Sequence, residues 1–104
     1  MEKFSIVTGG ASGLGFEFVK LLLNDNYNVV IVDNDKKELN NIKSKLDLKF
    51  NKKIIVLHKD LSNPNSSKEI FKVLKNKNVE ILINNAGFGL FGKFNDTDWE
   101  IERN

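Results

Sequence analysis

Residues 8–15 read TGGASGLG, and four of these eight positions are glycine. They follow an apolar run, FSIV at 4–7, and precede FEFVKLLL at 16–23, whose apolar residues repeat at helical spacing. A strand, a glycine-rich turn and a helix in this order leave backbone N–H groups free at the helix N-terminus. Those groups and the helix dipole together attract phosphate. The stretch therefore predicts a strand–turn–helix unit with space for a phosphate group.

The rest of the chain repeats the alternation of strand and helix. Strand-like apolar runs are expected at 3–7, 29–33, 53–57 and 80–84, and helices follow the first three. Asn63 and Pro64 are a candidate cap and first residue of the third helix, and TDWE at 97–100 has the form of a capping box. The pattern predicts an α/β fold with a four-stranded parallel sheet in the order 3-2-1-4 and flanking helices. We expect residues 1–104 to form one domain without a linker, truncated before the second half of the fold.

Composition narrows the classes of protein and partner. The chain has 16 basic and 14 acidic residues, a net charge of +2 and no cysteine. The charges are interspersed, so no nucleic-acid footprint stands out. Neither a signal peptide nor an apolar run long enough to cross a membrane is visible. One histidine and scattered acids suggest no metal site. We expect a cytoplasmic protein that binds neither nucleic acid nor membranes.

The glycines of the turn have different expected tasks. Gly9 allows the tight turn, Gly13 leaves room for a pyrophosphate, and Gly15 allows the helix to lie close to the strand. The turn lacks the Lys-Ser/Thr ending of a nucleoside-triphosphate P-loop. A dinucleotide is therefore the better candidate, and a plain structural turn is the alternative.

Asp33 ends the second strand, 18 residues after Gly15. A carboxylate at about this spacing is placed to accept hydrogen bonds from a ribose diol. It would repel a 2′-phosphate, and neither Ser12, before Gly13, nor Asn34, after Asp33, supplies a cation. NAD is favoured over NADP, although Lys36 or Lys37 could oppose this preference. The alternative is an aspartate that only starts a turn.

Three motifs in order resemble the short-chain dehydrogenase/reductase family: TGGASGLG at 8–15, KDLS at 59–62 and NNAG at 84–87. The resemblance covers essentially the whole chain and implies a Rossmann-type, NAD(P)-dependent oxidoreductase acting on an alcohol or carbonyl group. It implies that the turn cradles the pyrophosphate and that Asp60 and Leu61 of KDLS flank the adenine. It also implies that Asn85, Ala86 and Gly87 of NNAG pass beneath the cofactor's ribose. Asn85 would also brace the central strands. With Asp33 on the adenosine ribose, the expected cofactor-binding residues are Thr8, Gly9, Ala11, Ser12, Gly13, Leu14, Gly15, Asp33, Asp60, Leu61, Asn85, Ala86 and Gly87.

The family's catalytic Ser, Tyr and Lys have no counterpart that we can assign here. The only tyrosine, Tyr27, precedes the second strand, and the residue four positions later is Ile31. We therefore assign no catalytic residue and expect the chain, as the N-terminal part of an enzyme, to be inactive alone. The alternatives are a non-catalytic dinucleotide-binding module, a related methyltransferase and an extended relative such as a sugar-nucleotide epimerase.

Partner expectations follow from the fourth strand. As the last strand of the sheet it would leave one apolar edge open, and such an edge invites pairing with another chain. We expect homo-oligomers formed through residues 80–94, and a small-molecule substrate for the complete enzyme.

Overall fold

A computed structural model of the chain describes residues 2–86. Residues 87–94, which belong to the expected oligomer surface, and the capping box at 97–100 lie outside the described residues. The expected alternation and strand order are confirmed, since the four strands form one sheet in the order β3-β2-β1-β4. The elements are β1 (Lys3–Thr8), α1 (Gly13–Asn24), β2 (Asn28–Asp33), α2 (Lys36–Lys49), β3 (Ile54–His58), α3 (Pro64–Leu74) and β4 (Asn78–Asn84).

All strand pairs are parallel, so the carboxyl ends of the strands meet at one edge of the sheet. Thr8 is in register with Val32 on one side and with Asn84 on the other. Asp33 is in register with His58. The three sequence motifs, each following a strand, are thereby brought to the same edge.

β2 is buried on both faces, which explains its continuous apolar sequence. Val29 and Ile31 face one hydrophobic cluster, which also contains buried residues of α1 and α2. Val30 and Val32 face a second cluster, which contains Ile70 and Leu74 of α3. The sheet therefore separates two apolar layers. The motif residues lie instead at the carboxyl ends of the strands and in the loops that follow them.

Local sequence signals set the helix ends. The Asn63 side chain accepts a hydrogen bond from the Asn65 amide at 2.9 Å, and Pro64 opens α3, as expected. Asp35 caps α2 by accepting from the Glu38 amide at 3.1 Å. None of the helices within residues 2–86 combines the length and the apolar character needed to span a membrane.

β4 begins two residues earlier than the apolar pattern suggests. The register between β1 and β4 shifts at Phe4/Ser5, so that Phe4 is opposite Val79 and Ser5 is opposite Ile81. Glu80 is the extra residue of this irregularity. Beyond this shift the polar residue Asn78 is opposite Lys3 in the ladder, which hydrophobicity alone does not predict.

Candidate functional site

The glycine turn folds back onto the end of β2. Gly9 has a φ of +66°, and its amide donates to the Val32 carbonyl at 2.7 Å. The Gly10 amide reaches the same oxygen at 3.4 Å. These bonds fix the chain between β1 and α1 without using side chains.

Gly13 leaves open space at the first turn of α1. A Cβ added to it would meet nothing within 4 Å, and its φ of +58° disfavours other residues. Ser12 is the N-cap residue, yet its side chain makes no capping hydrogen bond. Ser12 and Leu14 are both exposed. Within residues 2–86, the N-terminus of α1 thus has no side-chain cap and leaves space at Gly13, which fits an anionic group such as a pyrophosphate.

Gly15 serves a close approach between α1 and the turn. A Cβ there would overlap the Gly9 carbonyl oxygen and would lie 2.8 Å from Asn85 Nδ2. Gly15 was expected to let the helix lie close to the strand, whereas the close contact that the structure shows is with the turn backbone at Gly9.

Asp33 fastens the turn as well as facing the candidate site. Its Oδ2 accepts from the Ala11 amide at 3.0 Å, and its Oδ1 accepts from the Asp35 amide at 3.0 Å. The sequence predicts a ribose contact for Asp33, but the spacing of the residues does not predict its bond to Ala11. The adjacency of β1 and β2 could have signalled it, because the turn after β1 must pass the end of β2.

The end of β4 holds the turn from the other side. The Thr8 hydroxyl donates to Asn84 Oδ1 at 3.0 Å and accepts from the Ala86 amide at 3.1 Å. Asn85 Nδ2 donates to the Gly9 carbonyl at 3.2 Å. The NNAG segment is thus bound to the TGGASGLG stretch through Asn84, Asn85 and Ala86, while Gly87 lies outside the described residues.

Asp60 and Leu61 lie in the loop after β3. Asp60 Oδ1 accepts from the Ser62 hydroxyl at 2.6 Å and the Ser62 amide at 3.0 Å. These two hydrogen bonds, the hydroxyl's first, lower the pKa of the exposed Asp60 carboxyl below its ordinary value. Asp60 is therefore an ionised acceptor at neutral pH. Leu61 is partly buried against the second hydrophobic cluster.

A cavity of about 120 Å³ joins these elements at the carboxyl edge of the sheet. Its lining residues come from the ends of all four strands or from the loops that follow them, at the edge of the sheet where such folds bind ligands. Its lining includes Lys59, which the sequence analysis did not single out. The lining residues are Gly9, Asp33, Asn34, Lys59, Leu61 and Ala86.

Other parts of the described chain offer less chemistry. Two larger depressions, of about 490 and 420 Å³, lie by the amino ends of the strands and contain none of the motif residues. Tyr27 is buried near that edge, with its hydroxyl 3.3 Å from Glu80 Oε1. Residues 2–86 contain no group of three or more His, Cys, Asp or Glu that could hold a metal ion.

Comparison with known proteins gives one consistent family. The sequence profile described as short chain dehydrogenase matches residues 3–103. A probable short-chain type dehydrogenase/reductase of Helicobacter pylori is 32% identical over 99 residues, covering 92% of this chain and 34% of that protein. Human polyprenol dehydrogenase is 32% identical over 89 residues, covering 83% of this chain and 27% of that protein.

Solved structures give the same result. A bulky-bulky ketone specific alcohol dehydrogenase from Comamonas testosteroni has a TM-score of 0.75 and 29% identity, covering 85% of this chain and 37% of that one. A short-chain dehydrogenase from Sphingobium yanoikuyae, in complex with NADPH, has a TM-score of 0.74 and 27% identity, covering 82% and 34%. The chain spans about a third of the length of such relatives.

Proposed function

Since this chain belongs to the short-chain dehydrogenase family, we propose that it supplies the adenosine and pyrophosphate end of the cofactor site in an NAD(P)-dependent oxidoreductase. The complete enzyme would transfer a hydride between the nicotinamide and a carbon bearing a hydroxyl or carbonyl group. Its substrate would be a small molecule. The observation that carries the proposal is the open space at Gly13 within residues 2–86, at the N-terminus of a helix whose N-cap side chain makes no capping hydrogen bond.

The glycine turn is the proposed pyrophosphate cradle. Thr8 to Gly15 would surround the two phosphates, with backbone donors and the helix dipole compensating their charge. Asp33 and the β4 loop already hold this turn through hydrogen bonds to Ala11 and Gly9. The cradle is thus ordered before a ligand arrives, which reduces the entropy lost on binding.

The other proposed cofactor contacts rest on the resemblance to the family, and of these residues Leu61 and Ala86 line the cavity. Leu61 offers an apolar surface to the adenine, and Asp60 an ionised acceptor to its amino group. Asn85, Ala86 and Gly87 would lie beneath the cofactor's ribose. When bound, the nicotinamide would accept or donate the hydride, and this chain's residues bind and orient the cofactor.

For the adenosine ribose we propose NAD rather than NADP. The Asp33 carboxylate lines the cavity and would accept hydrogen bonds from a ribose diol, while repelling a 2′-phosphate. The NADPH held by the Sphingobium structure makes NADP the direct competitor. Both cofactors therefore belong in the test.

Calorimetric titration of the 104-residue chain with NAD, NADP and S-adenosylmethionine tests this function. We expect a dissociation constant for NAD on the order of 0.1–1 mM, weaker binding of NADP and none of S-adenosylmethionine. Binding of S-adenosylmethionine alone would favour the methyltransferase alternative. Binding of no dinucleotide at millimolar concentration would overturn the proposal.

We propose that the described residues bind the cofactor and supply no catalytic group. Tyr27 lies by the amino ends of the strands, away from the motif-bearing edge, and is engaged with Glu80. The chain should therefore show no turnover with any alcohol or ketone.

A cytoplasmic location is proposed on the absence of cysteine from the sequence.

The open side of β4 is the proposed self-association surface. Within residues 2–86, β4 pairs with β1 alone, and its outer side faces no further strand. Such an edge pairs readily with a second copy. We expect the weight-average mass in sedimentation equilibrium to rise with concentration toward that of a dimer. A constant monomer mass up to millimolar concentration would contradict this.

A further inference from the structure

We propose that the ion pair between Lys59 and Glu69 sets the preference between a ribose hydroxyl and a ribose 2′-phosphate. This inference rests on the proposed function and concerns the adenosine end of the same site. Released from Glu69, the Lys59 ammonium would be the cation that binds the additional phosphate. Paired with Glu69, it favours the unphosphorylated cofactor.

Lys59 stands beside Asp33 because of the strand pairing. The Lys59 amide donates to the Asp33 carbonyl at 3.0 Å, one position beyond the register of Asp33 with His58. Both residues line the 120 Å³ cavity. Lys59 is thus the lysine among the described cavity-lining residues, whereas Lys36 and Lys37, which follow Asp33, are exposed at the start of α2.

Glu69 of α3 controls where the ammonium lies. Lys59 Nζ is 3.3 Å from Glu69 Oε1, and the Lys59 side chain is 25% exposed. The lysine stem packs along the protein while its flexible four-carbon chain gives the ammonium a range of positions. The glutamate side chain is 56% exposed, so its interaction is of the modest strength typical of surface pairs.

The carboxylates of Asp33 and Glu69 both weaken the binding of a 2′-phosphate. Asp33 repels it directly, and Glu69 neutralises the cation that could compensate that repulsion. Removing Glu69 leaves Lys59 free to reach toward Asp33 and the ribose. A phosphate between them would then gain a charge-assisted hydrogen bond.

The test is calorimetric titration with NAD and NADP, which differ only in the 2′-phosphate. We expect Glu69→Gln to tighten NADP binding about three- to fivefold at low salt and to change NAD binding by less than about twofold. The gain should disappear near 1 M salt, where charges are screened beyond about 3 Å.

Two further variants decide the assignment to Lys59. The double variant Glu69→Gln with Lys59→Gln should lose the gain, because the cation itself is removed. Glu17→Gln is the matched control: it breaks the exposed pair with Lys20, at 2.9 Å, and makes the same change in net charge. It should leave the ratio of the two affinities unchanged.

The outcomes separate this inference from the proposed function. The role of the ion pair is wrong if Glu69→Gln leaves the ratio of NADP affinity to NAD affinity unchanged. It is also wrong if that ratio rises equally in the double variant or in Glu17→Gln. Either result would leave the proposed function standing. Failure of the unaltered chain and every variant to bind either cofactor overturns the proposed function and this inference with it.

Discussion

A Gly15→Ala variant is expected to lose about 3 kcal/mol of stability, and its Tm should fall by more than about 10 °C. The added methyl group would overlap the Gly9 carbonyl oxygen, which is a backbone atom and cannot move independently of the turn. Helix propensity acts in the opposite direction, since alanine in a helix is favoured over glycine by about 1 kcal/mol. Chemical and thermal unfolding followed by circular dichroism would measure the difference.

Asn24→Ala provides the control for this first prediction. Asn24 ends the same helix and is exposed, so its replacement should change stability by less than about 0.5 kcal/mol. If Gly15→Ala were as stable as the unaltered chain, the close packing of α1 on the turn would be wrong.

A Gly13→Val variant is expected to fold but to bind NAD more than about tenfold more weakly. The valine side chain would occupy the open space beside Gly13, where the pyrophosphate would lie. The positive φ adds a stability loss of about 1–2 kcal/mol for a residue with a Cβ. Calorimetric titration would measure affinity, with unfolding recorded on the same samples.

Gly13→Asn separates the two effects at this position. Asparagine tolerates a positive φ better than other non-glycine residues, so this variant should unfold close to the unaltered chain. It still fills the cradle and should still weaken binding. Leu21→Ala, an exposed change on the same helix, should affect neither quantity appreciably. Undiminished NAD binding by Gly13→Val would contradict the assignment of the cradle.

The order of elements could be predicted from the sequence because it depends on local patterns. The unbroken apolar run at 29–33 identified a strand buried on both faces, and Asn63 with Pro64 identified the start of α3. Strand order followed from the alternation of strands and helices, which is typical of a doubly wound sheet. The bulge that lengthens β4 was missed, since Asn78 and Glu80 are polar and pairing there depends on backbone geometry.

The candidate site could be predicted in part. Motif residues were placed at one edge of the sheet, which the structure confirms for those up to Ala86. The hydrogen bond from Ala11 to Asp33, the bridge from Thr8 to Asn84 and the pair of Lys59 with Glu69 were missed. Each joins side chains or backbone groups from separate segments, and no periodicity in the sequence specifies such pairings.

The hydrogen bonds that hold the glycine turn also set when it can take shape during folding. Thr8 is tied to Asn84 and Ala86, and Gly9 to Asn85, across separations of 76 to 78 residues. Closing loops of this length is entropically costly and is compensated only after the intervening elements have packed. The turn precedes β4 in the chain, and it would adopt its final form only after β4 has paired with β1. We infer that the glycine turn reaches its final form late in folding. Pulse-labelled hydrogen exchange would then show slow protection of the Ala86 amide.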